Sequence, residues 1–155
     1  MKIEYKYPPN IEEIKKVFDI QPGTVFTYGD TLYTPFGGEL TQDLLAHEMT
    51  HTKQQKVIGV EKWWKQYLED DDFRLYQESE AYQVQYGKMK EIYNSKHRKF
   101  RLKEIAGHLS GKMYGHLVTY EEAILIIKEN IMPNQDGTGP KGEGPKTGQG
   151  NGDCE

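Results

Sequence analysis

The chain has little cysteine, no long apolar run and no strong imbalance of charge. Its 155 residues carry a net charge of −4, which gives no default attraction to nucleic acid or an anionic membrane. No stretch approaches the roughly 18 apolar residues of a membrane span, and the N-terminus MKIEYKYPPN lacks the apolar core of a secretory signal. The single cysteine, Cys154, cannot form an intramolecular disulfide, which fits a reducing interior. We therefore expect a cytoplasmic protein with no membrane or nucleic-acid partner.

Hydrophobic residues are also missing from the C-terminal stretch, which sets a domain boundary. Residues 133–155 contain 7 of the 16 glycines and 3 of the 7 prolines, and no Val, Ile, Leu, Met or aromatic residue. Such a stretch cannot bury enough apolar surface to offset the entropy lost on ordering. We predict one globular domain over residues 1–132 and a disordered Gly/Pro-rich tail over residues 133–155.

Within the domain, periodicity and capping residues predict a mainly helical α+β fold. The segment TVFTYGDTLYT, residues 24–34, alternates β-branched and aromatic residues around Gly29-Asp30 and predicts a β-hairpin. Thr41 as N-cap and Gly59 just past the end bracket a long predicted helix. Further helices are predicted over residues 11–18 with Asn10 as cap, and over residues 61–68, 73–93, 102–109 and 120–130. We therefore expect a small antiparallel sheet packed on helices.

The long helix contains the pentapeptide HEMTH. His47 and His51 are four residues apart and therefore share one helix face, about one turn apart. Glu48 lies roughly 100° around the helix from His47, where it could reach water held by a metal rather than the metal itself. This spacing is typical of zinc peptidases. The alternative is a solvated helix that carries the three residues by chance, but leucines on the same turn suggest a buried side.

A third ligand is expected from the predicted helix over residues 73–93. Glu78 is the one charged residue in an apolar and aromatic stripe. The stripe follows steps of three and four residues and contains Leu75, Tyr82, Tyr86, Met89 and Tyr93. Glu80 lies about 200° around the helix from Glu78 and should face elsewhere. An inward carboxylate needs a cation, either an arginine or lysine, such as Arg74 or Arg101, or a metal. The metal is favoured because it explains Glu78 and both histidines together.

HEMTH followed by the tetrapeptide ESEA at residues 78–81 resembles the HExxH…ExxA arrangement of gluzincin metallopeptidases. The length and the hairpin directly before the HExxH helix look most like their minimal single-domain members, the minigluzincins. The resemblance covers about residues 24–93. It implies a zincin-like fold, with one Zn²⁺ bound by the residues that match His47, His51 and Glu78.

The resemblance also implies roles for neighbouring residues. Glu48 matches the general base, and the second hairpin strand, about residues 31–34, would pair with an extended substrate. Many gluzincins have an aspartate directly after the ExxA alanine, where it can support a ligand histidine. This chain has Tyr82 at that place, so the resemblance does not predict what supports the histidine.

The implied activity is zinc-dependent hydrolysis of peptide bonds, with a peptide or unfolded protein as substrate and an endopeptidase favoured over an exopeptidase. Zinc would activate water and polarise the carbonyl, and Glu48 would take the proton. The developing oxyanion usually needs a further donor. The segment HLSGKMYGHLVTY offers His108, Tyr114 and His116, and Tyr114 and His116 are the preferred candidates. Cys154 of the tail could occupy the open zinc position as a latency device.

The alternative function comes from another class: a catalytically silent, metal-stabilised assembly or regulatory factor, such as one encoded by a phage. Glu48 favours the enzyme, since a purely structural metal site needs no general base.

Three other features have simpler interpretations. Trp63 and Trp64 are expected to pack a short helix against the core rather than to form a binding platform. The run KHRKFRLK, residues 96–103, could contact nucleic acid or an acidic partner, but a single basic run in an acidic chain favours a solvated connection. The run Asp70-Asp71-Asp72 lacks the glycine and distal glutamate of a calcium loop and predicts a turn.

Overall fold

A computed structural model describes residues 1–133 and confirms the predicted mainly helical α+β class. The strands are β1 (Lys2–Glu4), β2 (Phe26–Tyr28) and β3 (Thr31–Tyr33). The helices are α1 (Ile11–Lys15), α2 (Gln42–Ile58), α3 (Val60–Glu69), α4 (Asp71–Ile92), α5 (Ser95–Leu109) and α6 (Tyr120–Glu129), with a 3-10 turn at Lys112–Tyr114. Within residues 1–133, no helix combines the length and hydropathy needed to cross a membrane. The predicted tail, apart from Pro133, and Cys154 lie outside the described residues.

The small sheet is mixed rather than purely antiparallel. The predicted hairpin is confirmed, because β2 and β3 pair antiparallel. The N-terminal strand β1 was not predicted and adds to β3 in parallel, with Ile3 opposite Leu32. The strand order β1-β3-β2 leaves β3 in the centre. The expectation that β3 pairs with substrate is therefore wrong, since both of its edges are already hydrogen-bonded.

The two helices that carry the candidate site are fixed at their ends by local signals. Gly59, at a φ of 103°, ends α2 and allows α3 to start at once. Such a φ is readily adopted only by glycine. The side chain of Asp70 accepts a hydrogen bond from the Phe73 amide and caps α4. The predicted turn is thus reduced to Asp70, because Asp71 and Asp72 already belong to the first turn of α4.

The start of one helix and the capping of another differ from expectation. Helix α5 begins at Ser95 rather than near residue 102, because the Asn94 side chain accepts a hydrogen bond from the His97 amide and caps it. The basic run is therefore helical, since lysine and arginine are good helix formers once a cap is present. Asn10 does occupy the cap position of α1, but its side chain makes no capping hydrogen bond.

The buried side chains form two apolar clusters, and the paired helices α2 and α4 lie between them. One cluster joins α4, α5 and α6 and contains Leu75, Met89, Ile105, Leu109 and Ile127 among others. The other joins α1, β2 and α3 and contains Ile14, Phe26, Trp63, Trp64 and Tyr67. The prediction that both tryptophans pack their helix against the core is confirmed. Polar side chains fill the space between the clusters, where α2 faces α4.

Candidate metal centre

Helices α2 and α4 bring His47, His51 and Glu78 together in the interior. The two Nε2 atoms are 3.2 Å apart. Glu78 Oε2 is 3.3 Å from His47 Nε2, and Glu78 Oε1 is 3.4 Å from His51 Nε2. Glu78 is 3% exposed, whereas Glu80 is an exposed residue. The helical phase that predicted an inward Glu78 and an outward Glu80 is confirmed.

These separations are compatible with ligand atoms that share one metal ion. Two ligand atoms about 2.0–2.1 Å from a tetrahedral ion lie about 3.3–3.4 Å from each other. Charge-assisted hydrogen bonds between nitrogen and carboxylate oxygen are shorter, about 2.7–2.9 Å. All three side chains are buried, and one ligand atom from each lies within 4.8 Å of the others. The group could therefore hold a metal ion.

The carboxylate of Glu78 is oriented by one oxygen and left open at the other. The Tyr67 hydroxyl donates to Oε1 at 2.5 Å, whereas the buried Oε2 has no hydrogen-bond partner. The alternative that an arginine neutralises Glu78 is wrong, because Arg74 donates to the Tyr67 carbonyl and Arg101 pairs with Asp43. A buried acceptor without a partner is costly. Oε2 is therefore suited to bind a metal ion.

The ring of His51 is oriented by a glutamine on its own helix. Its Nδ1 lies 2.8 Å from Gln54 Oε1. Gln54 Nε2 in turn donates to the Gln77 carbonyl at 3.0 Å. Because a carbonyl only accepts, the amide of Gln54 must present its oxygen to the histidine. Nδ1 of His51 is then the donor, and Nε2 is the ring nitrogen that could bind a metal once it is deprotonated.

His47 is oriented in the same way by a glutamine from α4. Its Nδ1 lies 3.0 Å from Gln85 Oε1, and Gln85 Nε2 donates to Asp43 Oδ2 at 2.8 Å. Asp43 is ionised: burial opposes its charge, but hydrogen bonds from Gln85 and Arg101 outweigh burial and hold its pKa well below its usual range. Nε2 is therefore the nitrogen of His47 that could bind a metal.

The charge of Glu78 and the protonation of the histidines are strongly linked at this buried group. Burial alone would lower the pKa of His51, but the Glu78 carboxylate outweighs it and raises that pKa to about 9. Burial likewise opposes the charge of Glu78, but the histidines, His51 foremost, hold its pKa well below its usual range. In the metal-free protein a proton on His51 supplies the charge that a metal would otherwise bring.

Glu48 lies beside the ligands without joining them. Its Oε2 accepts a hydrogen bond of 2.7 Å from Thr27 Oγ1 on β2. The Thr27 carbonyl accepts from Trp64 Nε1 at 3.1 Å and from Gln55 Nε2 at 2.9 Å, which ties β2 to α2 and α3. Glu48 is therefore a buried carboxylate next to the metal-binding group, held by one of its two oxygens.

Two cavities meet at this group. The first is apolar and aromatic, with Ile14, Phe18, Phe26, Trp63, Trp64 and Tyr67 among its lining residues. The second has Gln21, Gln85, Arg101 and His108 among its lining residues. His47 and Glu48 line both cavities. A substrate in either cavity would lie against the candidate site.

The structure separates the two candidates for an oxyanion donor. Tyr114 lines both cavities, and its hydroxyl lies 3.1 Å from that of Tyr82. His116 is exposed and lines neither cavity, and its Nδ1 lies 3.1 Å from the Ser110 carbonyl. Gly115 and His116 both have positive φ, so the chain turns away from the site directly after Tyr114. Tyr114 is at the site, and His116 is not.

The sequence interpretation missed the residues that orient the ligands. Asp43 lies four residues before His47, and Gln54 lies three residues after His51, so helical spacing alone places both on the histidine face. Gln85 continues the stripe of Glu78 and Tyr82. A search for polar residues at helical spacing from each ligand would have found these three. Tyr67 has no such signal, because it reaches Glu78 from another helix.

No protein-family model, curated protein or solved structure matches this chain.

Proposed function

We propose that the chain is a zinc-dependent peptidase with a zincin-like fold. The observation that carries this proposal is the buried group of His47, His51 and Glu78, whose ligand atoms lie close together, with Glu48 lining the same cavity. Two imidazoles and a carboxylate are a common catalytic zinc set, which leaves one position for water or substrate. Magnesium and calcium prefer oxygen ligands, so this donor set favours zinc.

Glu48 is the proposed general base. Zinc bound at the three ligands would acidify water and polarise the scissile carbonyl. The hydrogen bond from Thr27 Oγ1 holds Oε2 of Glu48 in place and leaves Oε1 to take a proton and later return it to the leaving amine. A site that only stabilised the fold would need no carboxylate at this position.

The proposed substrate is a peptide or an unfolded protein, cleaved as by an endopeptidase. The apolar cavity beside the ligands suits a hydrophobic substrate side chain. Strand pairing along β2 is limited, because the Gln55 side chain accepts from the Gly29 amide at 2.7 Å and donates to the Thr27 carbonyl. A cytoplasmic location and the absence of nucleic-acid and membrane partners stay predictions.

Metal removal tests the proposal directly. We expect a chelator to abolish hydrolysis of a fluorescently labelled unfolded protein, and zinc returned at one ion per chain to restore it, because the reaction needs the metal. Metal content is measured by atomic emission alongside turnover. Hydrolysis that persists in metal-free protein would contradict the proposal. Stoichiometric zinc without turnover would instead favour the silent, metal-stabilised factor.

Tyr114 is the proposed donor to the developing oxyanion. Burial, aided by the charge of Glu78, raises the pKa of Tyr114 well above its usual value, so the hydroxyl keeps its proton at neutral pH. We expect Tyr114→Phe to lower kcat by about 10²- to 10³-fold, as does loss of one oxyanion donor elsewhere, with zinc affinity unchanged. Tyr76→Phe, at an exposed tyrosine on α4, is the control. Equal kcat in the two variants would remove Tyr114 from the mechanism.

A further inference from the structure

We propose that Gln85 is a positioning residue that holds His47 in the orientation and tautomer needed for metal binding, and that Asp43 fixes the direction of its amide. The inference rests on the proposed zinc site but not on peptidase activity. It assigns a role to a buried hydrogen-bond chain that runs from Arg101 on α5, through Asp43 and Gln85, to His47.

The Asp43 carboxylate determines which group donates and which accepts in each hydrogen bond between Arg101 and His47. Asp43 is fully buried and ionised, so both of its oxygens can only accept hydrogen bonds. Gln85 must therefore turn its NH₂ toward Asp43 and its carbonyl oxygen toward His47. That oxygen accepts the Nδ1 proton, so in the neutral, metal-binding form of the ring the lone pair is on Nε2. A reversed amide would place its NH₂ against Nδ1 and favour the wrong tautomer.

Asp43 itself is held by groups from other helices. Arg101 Nη2 lies 2.7 Å from Oδ2, and the Tyr93 hydroxyl donates to Oδ1 at 2.7 Å. Gln85 is 2% exposed and uses both ends of its amide. The orientation of His47 therefore depends on the packing of α4 and α5 on α2, whereas His51 has its glutamine on its own helix.

These hydrogen bonds explain how His47 can be oriented without an aspartate at residue 82. The Tyr82 ring instead packs edge-on against the His47 ring, with centroids 4.4 Å apart. Gln85, one helical step further along the same face, supplies the hydrogen bond. The support is a neutral amide, and the charge of the carboxylate behind it is balanced by Arg101. His47 is thus oriented without adding net negative charge beside the metal.

The first test replaces the amide and measures zinc affinity by competition with a chromogenic chelator. We expect Gln85→Met, which keeps the side-chain length, to weaken zinc binding about 10- to 100-fold, the usual effect of losing such a hydrogen bond to a ligand histidine. The matched control is Gln83→Met. Gln83 is on the same helix and donates to the Ile126 carbonyl at 2.9 Å, without touching a histidine. We expect zinc affinity in the control to equal that of the parent.

The second test asks whether Asp43 acts through Gln85. We expect Asp43→Asn to weaken zinc binding in the parent, because an asparagine can also donate and no longer fixes the amide. The same change should have a much smaller effect in the Gln85→Met background, since nothing remains to be oriented. An equal loss in both backgrounds would overturn the role of Asp43.

The third readout follows the histidine itself. In the zinc-loaded parent, the Nδ1 proton of His47 should exchange slowly and appear in ¹⁵N NMR spectra. We expect Gln85→Met to lose that signal for His47 and keep it for His51, while Gln83→Met keeps both. Parent-like zinc affinity and an unchanged signal in Gln85→Met would overturn the inference, even if peptides are cleaved. The expected losses without any peptide cleavage would support it and count against the peptidase alone.

Discussion

Glu48→Gln should bind one zinc per chain and lose peptide hydrolysis by about 10²- to 10⁴-fold, the usual contribution of a general base. Glutamine keeps the size of the side chain and can still accept the hydrogen bond from Thr27 Oγ1, so the ligands should stay in place. What it cannot do is take a proton from water. Zinc content and turnover of a labelled unfolded protein are measured on the same preparation.

The comparison variant for this experiment is Glu61→Gln, at an exposed glutamate on α3. It removes one negative charge far from the ligands and should turn over normally. If Glu48→Gln cleaves as fast as the parent, Glu48 is not the base and the proposed mechanism is wrong. If Glu48→Gln loses zinc as well as activity, the substitution has disturbed the ligands, and Glu48 then has a structural role.

Glu78→Gln should have the largest effect on the metal. Four-ligand zinc sites bind with about 10–16 kcal/mol, so one ligand is worth on the order of 3 kcal/mol, or about a hundredfold in affinity. The amide that replaces Glu78 is a poor ligand and leaves a site with two histidines. Activity should disappear with the metal. The measurement is competition with a chromogenic chelator, followed by assay at saturating zinc.

Glu80→Gln is the matched control, two residues away on the same helix but exposed. It should bind zinc and turn over almost as the parent does. Equal zinc affinities in the two variants, or a greater loss at Glu80, would show that α4 is rotated relative to its present position. The assignment of the third ligand would then move to Glu80 or be dropped.

Zinc should also stabilise the parent against unfolding far more than it stabilises Glu78→Gln. A ligand present at 100 times its Kd raises the free energy of unfolding by about 2.7 kcal/mol, provided that it binds only the folded state. Urea titrations with and without zinc measure this difference. Equal stabilisation of both proteins would place the bound zinc at another site.

The ligand-bearing faces were predictable because they depend on local geometry. The spacing of His47 and His51 fixes their common face on any helix, and the apolar stripe around Glu78 sets the rotation of α4 toward the core. Both features can be predicted without knowing how the helices pack, and both are present in the structure. The same helical geometry predicts that Glu80 faces outward, as it does in the structure.

Other features depend on tertiary contacts that no local pattern contains. Strand β1 is distant from β3 in the sequence and pairs with it only in the folded structure. The central position of β3 therefore cannot be inferred from the hairpin alone. Tyr67 on α3 reaches the ligand Glu78 on α4 only through the packing of the two helices. His116 was a reasonable candidate by composition, but the left-handed turn at Gly115 takes it away from the cavities. The sequence predicts only the second half of α5. The charge of the basic residues in its first half suggests a solvated connection, although lysine and arginine are also good helix formers.

The most direct measurement is an anomalous difference map at the zinc absorption edge from crystals of the zinc-loaded protein. The proposed centre predicts one strong peak about 2.0–2.2 Å from His47 Nε2, His51 Nε2 and Glu78 Oε2, with Glu48 close by but not bound. A map with no peak between α2 and α4, or with its peak on other residues, would contradict the central claim that these three side chains hold the metal.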